Sequence, residues 1–296
     1  MTEPNSKTPI LGTGLRGLVG SKLTELFKEK YNFQNLDLSD PAHPVDITNK
    51  EQVEKAVAES PAEFIIHFAA FTDVNKAWEQ RDQKDGVAYK VNVEGTQHLA
   101  RAAAEHGKHL IHISTAYVFN GEKAEPYTEE DALSPIEWYG QTKAWAEEVV
   151  QRDAKDWTIL RIDQPFRTDP FPKLDTAHRI ATGLQQGKLY PQFTDHYFGP
   201  TVIEEFAKVL DWVIRTKTSG LFHASSGEKW TDYDFAVAIQ KALNLPGEVK
   251  QGSLDVYLQK LGRPYQANTA LSTKKLEDAI DFQLESVLSY LPKILI

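Results

Sequence analysis

Short apolar runs alternate with amphipathic stretches through the first half of the chain. Thr8–Gly12 is apolar, runs into glycines and predicts a first strand. Leu18, Val19, Leu23, Leu26 and Phe27 recur near helical spacing, which predicts a helix over Leu18–Lys30. Phe33–Leu38 reads as a second strand, and Lys50–Glu59, introduced by Asp46 and Thr48, as a second helix. Phe64–Ala70 is apolar without alternation, as a strand buried on both faces requires. Val87–His106 predicts one long helix closed by Gly107, and His109–Ser114 another strand. Ser134–Arg152 reads as a helix and Thr158–Ile162 as a strand.

Strands alternating with helix-length connections predict an α/β fold, a doubly wound parallel sheet of Rossmann type. Beyond Ile162 the rhythm loosens, and three prolines mark Asp163–Pro172 as a loop. Helices are expected near Ala177–Gln186, Glu204–Arg215, Asp232–Leu243 and Leu254–Leu261, with short strands near Leu189–Tyr190 and Leu221–Ala224. The division expected is a dinucleotide-binding domain over residues 1–163 and a smaller C-terminal substrate-binding region over 164–296. Some elements of the second part should return to the first.

Composition narrows the function. With 41% apolar and 25% charged residues, the chain has material for an ordinary folded core. It has no cysteine, which excludes disulfides, thiolate metal sites and thiol nucleophiles. A net charge of −9 argues against nucleic acid as a partner. The polar Met1–Pro9 segment lacks a signal-peptide core, and no apolar run approaches the roughly 20 residues that span a bilayer. The expectation is a cytoplasmic protein with no membrane partner.

Three constellations carry chemistry. Gly14, Gly17 and Gly20 form a G-x-x-G-x-x-G loop between the first strand and the first helix. Glycine permits close backbone approach to a pyrophosphate, and the helix N-terminus supplies free N–H groups and positive dipole. Tyr139 and Lys143 stand four apart, hence on one helix face. Ser134, Pro135 and Glu137 read as N-cap, N1 and N3 of a capping box, which puts Tyr139 near the positive helix end. That end and Lys143 are expected to draw the phenol pKa down toward working pH, making Tyr139 a poised general acid. Ser114 and Thr115 end a strand, at the edge where doubly wound sheets bind ligands.

Two residues bear on the cofactor. Asp37, 23 residues after Gly14, suits an adenine-ribose 2′-hydroxyl and reads as NAD. Arg16, inside the loop, suits a 2′-phosphate and reads as NADP. The balance favours NAD, with use of both open. His106, His109 and His112 recur every third residue, but they straddle a helix end and a strand. They are read as structural, with no metal site.

With these motifs assembled, the chain resembles the extended short-chain dehydrogenases/reductases, and within them the dTDP-4-dehydrorhamnose reductase family. The resemblance runs from about Pro9 to about Leu276. It rests on the glycine loop, Phe68-Ala69-Ala70 with Thr72, Lys76-Ala77, Asn92, Ser114–Phe119, Tyr139–Lys143, Leu160-Arg161, Phe198–Thr201 and Arg263-Pro264. It implies Tyr139 as acid/base, Lys143 as ribose ligand and tuner of Tyr139, and Thr115 as helper at the carbonyl. Asn92 is implied to be structural, with a proton-relay role in view. Cofactor contacts are then expected at Gly14, Leu15, Arg16, Gly17, Leu18, Val19, Asp37, Asp46, Ile47, Phe68, Ala69, Ala70, Thr72, Asn92, Tyr139 and Lys143. Substrate contacts are expected at Thr115, Ala116, Tyr117, Phe198, Thr201 and Arg263. The implied partner is a nucleotide sugar, and a homodimer is allowed for.

The chain departs from the family pattern at Ala116, where an Asp is usual, and at Asn75 and Trp78. All three lie on the expected sugar side. The leading expectation is an NAD(P)-dependent reductase of a nucleotide-linked 4-keto sugar. A nucleotide-sugar epimerase of the same superfamily is the nearer alternative. A dehydratase is disfavoured, because Ala116 and Tyr117 stand where its Asp-Glu pair would be. The third reading is a dinucleotide-binding regulatory subunit resembling that of methionine adenosyltransferase, since fold does not decide function.

Overall fold

The structure, a computed structural model, describes residues 7–38, 40 and 44–296. Its centre is a six-stranded sheet. The strands are β1 (Thr8–Thr13), β2 (Tyr31–Leu36), β3 (Phe64–His67), β4 (His109–Thr115), β5 (Asp156–Ile162) and, late in the chain, β10 (Gly220–His223). Their order is β10-β5-β4-β3-β1-β2, and every neighbouring pair is parallel. The chain leaves β1 in one direction to reach β2 and in the other to reach β3. A crevice therefore opens between β1 and β3 at their carboxyl ends.

Helices cover both faces. They are α1 (Leu18–Phe27), α2 (Lys50–Glu59), α3 (Val74–Glu79), α4 (Val87–Tyr89), α5 (Thr96–Glu105) and α6 (Trp138–Asp153). Between α4 and α5, Lys90–Gly95 forms a π-helical turn. The two-residue strands β6 (Pro165–Phe166), β7 (Gln192–Phe193), β8 (Tyr197–Phe198) and β9 (Thr201–Val202) follow, with α7 (Thr176–Gln185) among them. Next come α8 (Ile203–Thr216), β11 (Trp230–Thr231), α9 (Asp232–Ala242), β12 (Gln251–Gly252), α10 (Leu254–Leu261) and α11 (Lys274–Ala279).

One apolar layer joins Ile10, Ile66, Ile111 and Leu160 of the sheet to Leu23 of α1 and Phe206, Leu210 and Val213 of α8. The layer on the opposite face joins Leu11, Ile65 and Leu110 to Val53, Leu99 and Val150 of α2, α5 and α6. Residues beyond 163 thus supply both the sixth strand and a covering helix. They also form a core of their own around Phe166, Ile180, Phe198 and Phe235.

Four local expectations are corrected. The second strand is Tyr31–Leu36 rather than Phe33–Leu38, because Tyr31 packs between Phe27 and Phe33 and its hydroxyl donates to Asp211 Oδ1 at 2.6 Å, while Leu38 is 68% exposed. The expected single helix over Val87–His106 is interrupted by the π turn, whose wide bend turns the Asn92 amide onto the Phe71 backbone. Leu189–Tyr190 forms no strand; the pairing occurs at Gln192–Phe193 with Gln251–Gly252. The capping box at Ser134 is absent, because Ser134 N donates to Val118 O at 2.9 Å and holds that segment extended. Helix α6 begins at Trp138 instead, with Glu137 as its N-cap.

Candidate active site

A cleft of about 1040 Å³ runs along the carboxyl edge of the sheet. Its near end is the loop between β1 and α1. Gly14 has φ +66°, and a Cβ there would lie 2.7 Å from Ala69 N, so the loop and the segment after β3 can approach only through glycine. This leaves backbone and helix N-terminus facing the cleft, the cradle a pyrophosphate needs. Gly14, Arg16, Gly17, Leu18 and Val19 line this end, joined by Phe68, Ala69, Ala70 and Thr72. Asp37, Asp46 and Ile47 line the flank where β2 ends. The residues present therefore fit a dinucleotide.

The floor is built by β4 and α6. Glu137 accepts from Tyr139 N and Gly140 N, both at 2.7 Å, and so fixes the first turn of α6. That turn presses on the end of β4: a Cβ on Gly140 would stand 2.1 Å from Tyr117 O. This contact brings the Tyr139 ring edge-on to Tyr117, with centroids 5.8 Å apart, and within hydrogen-bonding reach of the Thr115 hydroxyl. One turn on, Lys143 is 2% exposed; its Nζ donates to Ile113 O at 2.8 Å and to His112 Nε2 at 3.0 Å. Thr115, Tyr117, Tyr139 and Lys143 all line the cleft.

Electrostatics correct one expectation. Burial pushes the Tyr139 phenol well above its ordinary value, and the Glu137 carboxylate adds to the rise. The helix-end effect expected to pull it down is opposed by burial and, when its carboxyl is ionised, by Glu137 at that same end. Tyr139 is therefore a phenol at working pH, the form that donates a proton. Burial lowers Lys143 to about 8. Glu137 itself is raised to about 7 by burial, against the pull of the two N–H groups it caps.

The far end belongs to the C-terminal region. Arg263 and Tyr265 line it, and Arg263 Nε donates to Asn75 Oδ1 at 2.8 Å. Asn75 and Trp78, two of the departures from the family pattern, thus meet the segment around Gly262 directly, Trp78 Nε1 donating to Gly262 O at 3.3 Å. Asp163, Gln164, Lys173 and Arg179 also line the cleft and were missed by sequence reasoning. Asp163 had a usable signal: it follows the carboxyl end of β5, the position that singled out Ser114 and Thr115 on β4. Its Oδ2 accepts from Gly199 N at 2.9 Å and Thr269 Oγ1 at 2.7 Å, and burial raises it to about 7.

Five expected contacts stand off the cleft wall. Leu15 is buried beneath the loop against Gly12. Asn92 braces rather than lines: its Oδ1 accepts from Phe71 N at 2.7 Å, and its Nδ2 donates to Phe71 O and Thr142 Oγ1. Ala116 is buried with Val118, Phe119 and Leu271. Phe198 is buried against Phe235. Thr201 Oγ1 donates to Asp163 O at 2.8 Å and thereby supports a lining residue. Of the three histidines, His106 pairs with Glu54, His109 with Thr158 and His112 with Lys143.

Comparison with known proteins follows the same lines. The profile of the RmlD substrate binding domain matches residues 8–295. The chain is 31% identical to a dTDP-4-dehydrorhamnose reductase of Aggregatibacter actinomycetemcomitans, over 93% of this chain and 94% of that one. It is 30% identical to methionine adenosyltransferase 2 subunit beta of Mus musculus, over 90% of this chain and 81% of that one. Among solved structures, a dTDP-4-dehydrorhamnose reductase of Bacillus anthracis str. Ames in complex with NADP superposes with a TM-score of 0.88 at 26% identity, covering 98% of this chain and 99% of that one.

Proposed function

The chain belongs to the dTDP-4-dehydrorhamnose reductase family, and from that premise we propose that it reduces the keto group of a nucleotide-linked 4-keto sugar, with Tyr139 as proton donor. The observation that carries the reading is the meeting of Tyr139, Thr115 and Lys143 on the floor of a cleft whose other end is the glycine loop. A nicotinamide dinucleotide supplies hydride when bound. Gly14–Val19 would hold its pyrophosphate, and Asp37 or Arg16 its adenine ribose. NADP is in keeping with the family, since the Bacillus anthracis relative is in complex with NADP, and Asp37 on the cleft flank keeps NAD open.

The chain's own residues do the rest. Tyr139, kept as a phenol by burial, donates its proton to the substrate oxygen as that oxygen becomes an alkoxide. The Thr115 hydroxyl orients Tyr139 and the carbonyl oxygen together. The Lys143 ammonium stabilises the phenolate that donation leaves, at a site where low polarity strengthens the attraction. Arg263 and Tyr265 enclose the nucleotide-sugar end.

The test is turnover of a panel of dTDP- and UDP-linked 4-keto sugars with NADH and with NADPH. Oxidation of the dinucleotide that depends on at least one keto sugar is expected. Its absence with every pair overturns the reading. The 30% identity to a methionine adenosyltransferase subunit favours a second reading, a regulatory subunit. That reading predicts a stable complex with a methionine adenosyltransferase, unaltered by Tyr139→Phe.

A further inference from the structure

We propose that His112 is a positioning residue for Lys143, fixing the direction in which the lysine's third N–H points. An ammonium has three donors and rotates freely unless its protons are tied. Lys143 ties two of them to the same strand: one to Ile113 O at 2.8 Å and one to His112 Nε2 at 3.0 Å. With both held on β4, tetrahedral geometry sends the third away from the strand, and Lys143 lines the cleft.

The neighbouring network shows that His112 is committed to this contact. His67 packs beside it with its ring tilted, centroids 5.2 Å apart. Thr96 Oγ1 donates its single proton to Asn92 O at 2.6 Å, so His67 Nε2 must be the donor to Thr96 at 2.9 Å. His67 Nδ1 is then the acceptor from Thr13 Oγ1 at 2.7 Å. Both nitrogens of His67 are thus engaged elsewhere. For His112, Nε2 accepts from the ammonium and the proton sits on Nδ1, which has no hydrogen-bond partner among the described residues. Among the described residues, the polar edge of His112 serves Lys143 alone. A histidine placed only for packing gains nothing from a nitrogen over a methyl group there, and leaves a buried N–H unmatched.

The arrangement also keeps His112 an acceptor. Burial, then the charge of Lys143, holds its pKa well below the ordinary value, so it is neutral throughout the working range. The ionisable groups whose charge couples to Lys143 are Glu147 on its own helix, His112 on β4 and His67 on β3, while Tyr139 and Asp163 line the same cleft. Arg161 is held in a pair with Glu147 at 2.7 Å. The buried residues of α3, the π turn and α5 carry no ionisable group.

The test compares His112→Gln with His112→Met, side chains of nearly equal length that differ in acceptor strength. The inference rests on the reductase reading only for its turnover arm. Lys143 is titrated in the ligand-free chain by 13Cε-lysine NMR, its signal assigned by loss in Lys143→Arg. The parent midpoint is expected near 8. Losing an acceptor disfavours the ammonium, so His112→Met should lower the midpoint by about one unit, and His112→Gln should hold it within a few tenths. Turnover should fall about 10-fold in the Met variant, with dinucleotide affinity weakened, and recover to within about 3-fold in the Gln variant. Equal midpoints in two folded variants overturn the proposal. If the Met variant does not fold, ring 15N shifts of parent His112 decide: Nε2 must be unprotonated while Lys143 is charged, and a protonated Nε2 overturns it. Absent turnover with a shifted midpoint refutes the reductase reading and leaves His112 positioning Lys143.

Discussion

Replacing Tyr139 by Phe separates the chemistry from the scaffold. The substitution removes one oxygen and keeps the ring, so the edge-on contact with Tyr117 at 5.8 Å and the apolar burial survive. What is lost in the folded state is the hydroxyl contact with Thr115. One hydrogen bond is worth about 0.5–1.5 kcal/mol, small against the roughly 5–15 kcal/mol that holds a domain folded. The effect on rate is larger. A positioned proton donor contributes about 10²–10⁴ in rate, or roughly 3–5 kcal/mol of barrier. Turnover of the nucleotide keto sugar should therefore fall about 10²–10⁴-fold, with dinucleotide affinity within about 2-fold and the melting temperature within a few degrees. The assay is keto-sugar-dependent loss of dinucleotide absorbance, with affinity from fluorescence titration and stability from a circular-dichroism melt. A folded Tyr139→Phe chain that retains more than about a tenth of parental turnover refutes Tyr139 as the donor.

Three further outcomes follow from the geometry. Gly140→Ala drives a Cβ to 2.1 Å from Tyr117 O, so the first turn of α6 must shift; a loss of about 1–3 kcal/mol in urea denaturation should accompany a fall in turnover larger than the fall in dinucleotide affinity. Asp163 has its folded pKa raised to about 7 from 3.8, so the stability tied to its protonated form is full below about pH 4 and is lost as pH rises through 7. Asp163→Asn should accordingly gain stability relative to the parent between pH 4 and 7 and hold that gain above it; a pH-independent difference in denaturation midpoints contradicts the assignment. Asp37→Ala removes a carboxylate from the cleft flank and should raise affinity for NADP relative to NAD, measured by titrating both.

Much of the fold was legible in order. The apolar stretches Ile10–Leu11, Phe64–Ile66 and Leu110–Ile111 are buried on both faces, and an uninterrupted apolar run is the local signature of that position. The glycine loop and the spacing of Tyr139 and Lys143 are short-range patterns, so they identified two ends of a site without any knowledge of how those ends meet. Where local pattern and tertiary contact disagreed, contact won. Ser134 offers a good N-cap, yet its backbone is claimed by Val118 O, and the helix starts at a buried Glu137 that no capping rule favours over Ser. The long helix after Val87 is continuous by periodicity, but Asn92 satisfies the Phe71 backbone only through the π turn.

Sequence by itself determined the class of fold, the glycine loop after β1 and the spacing of the Tyr139–Lys143 pair, because each depends on neighbours a few positions apart. The environment of that pair was decided by tertiary structure alone. Tyr139 is a phenol because burial on the cleft floor, and after it Glu137, outweigh the helix end, and Lys143 is aimed because His112, 31 residues distant, faces it from β4. Asp163 and Tyr265 join the far wall only because β5 and the C-terminal segment converge on one edge. Burial and long-range hydrogen bonds set these properties, and neither has a signature in local spacing.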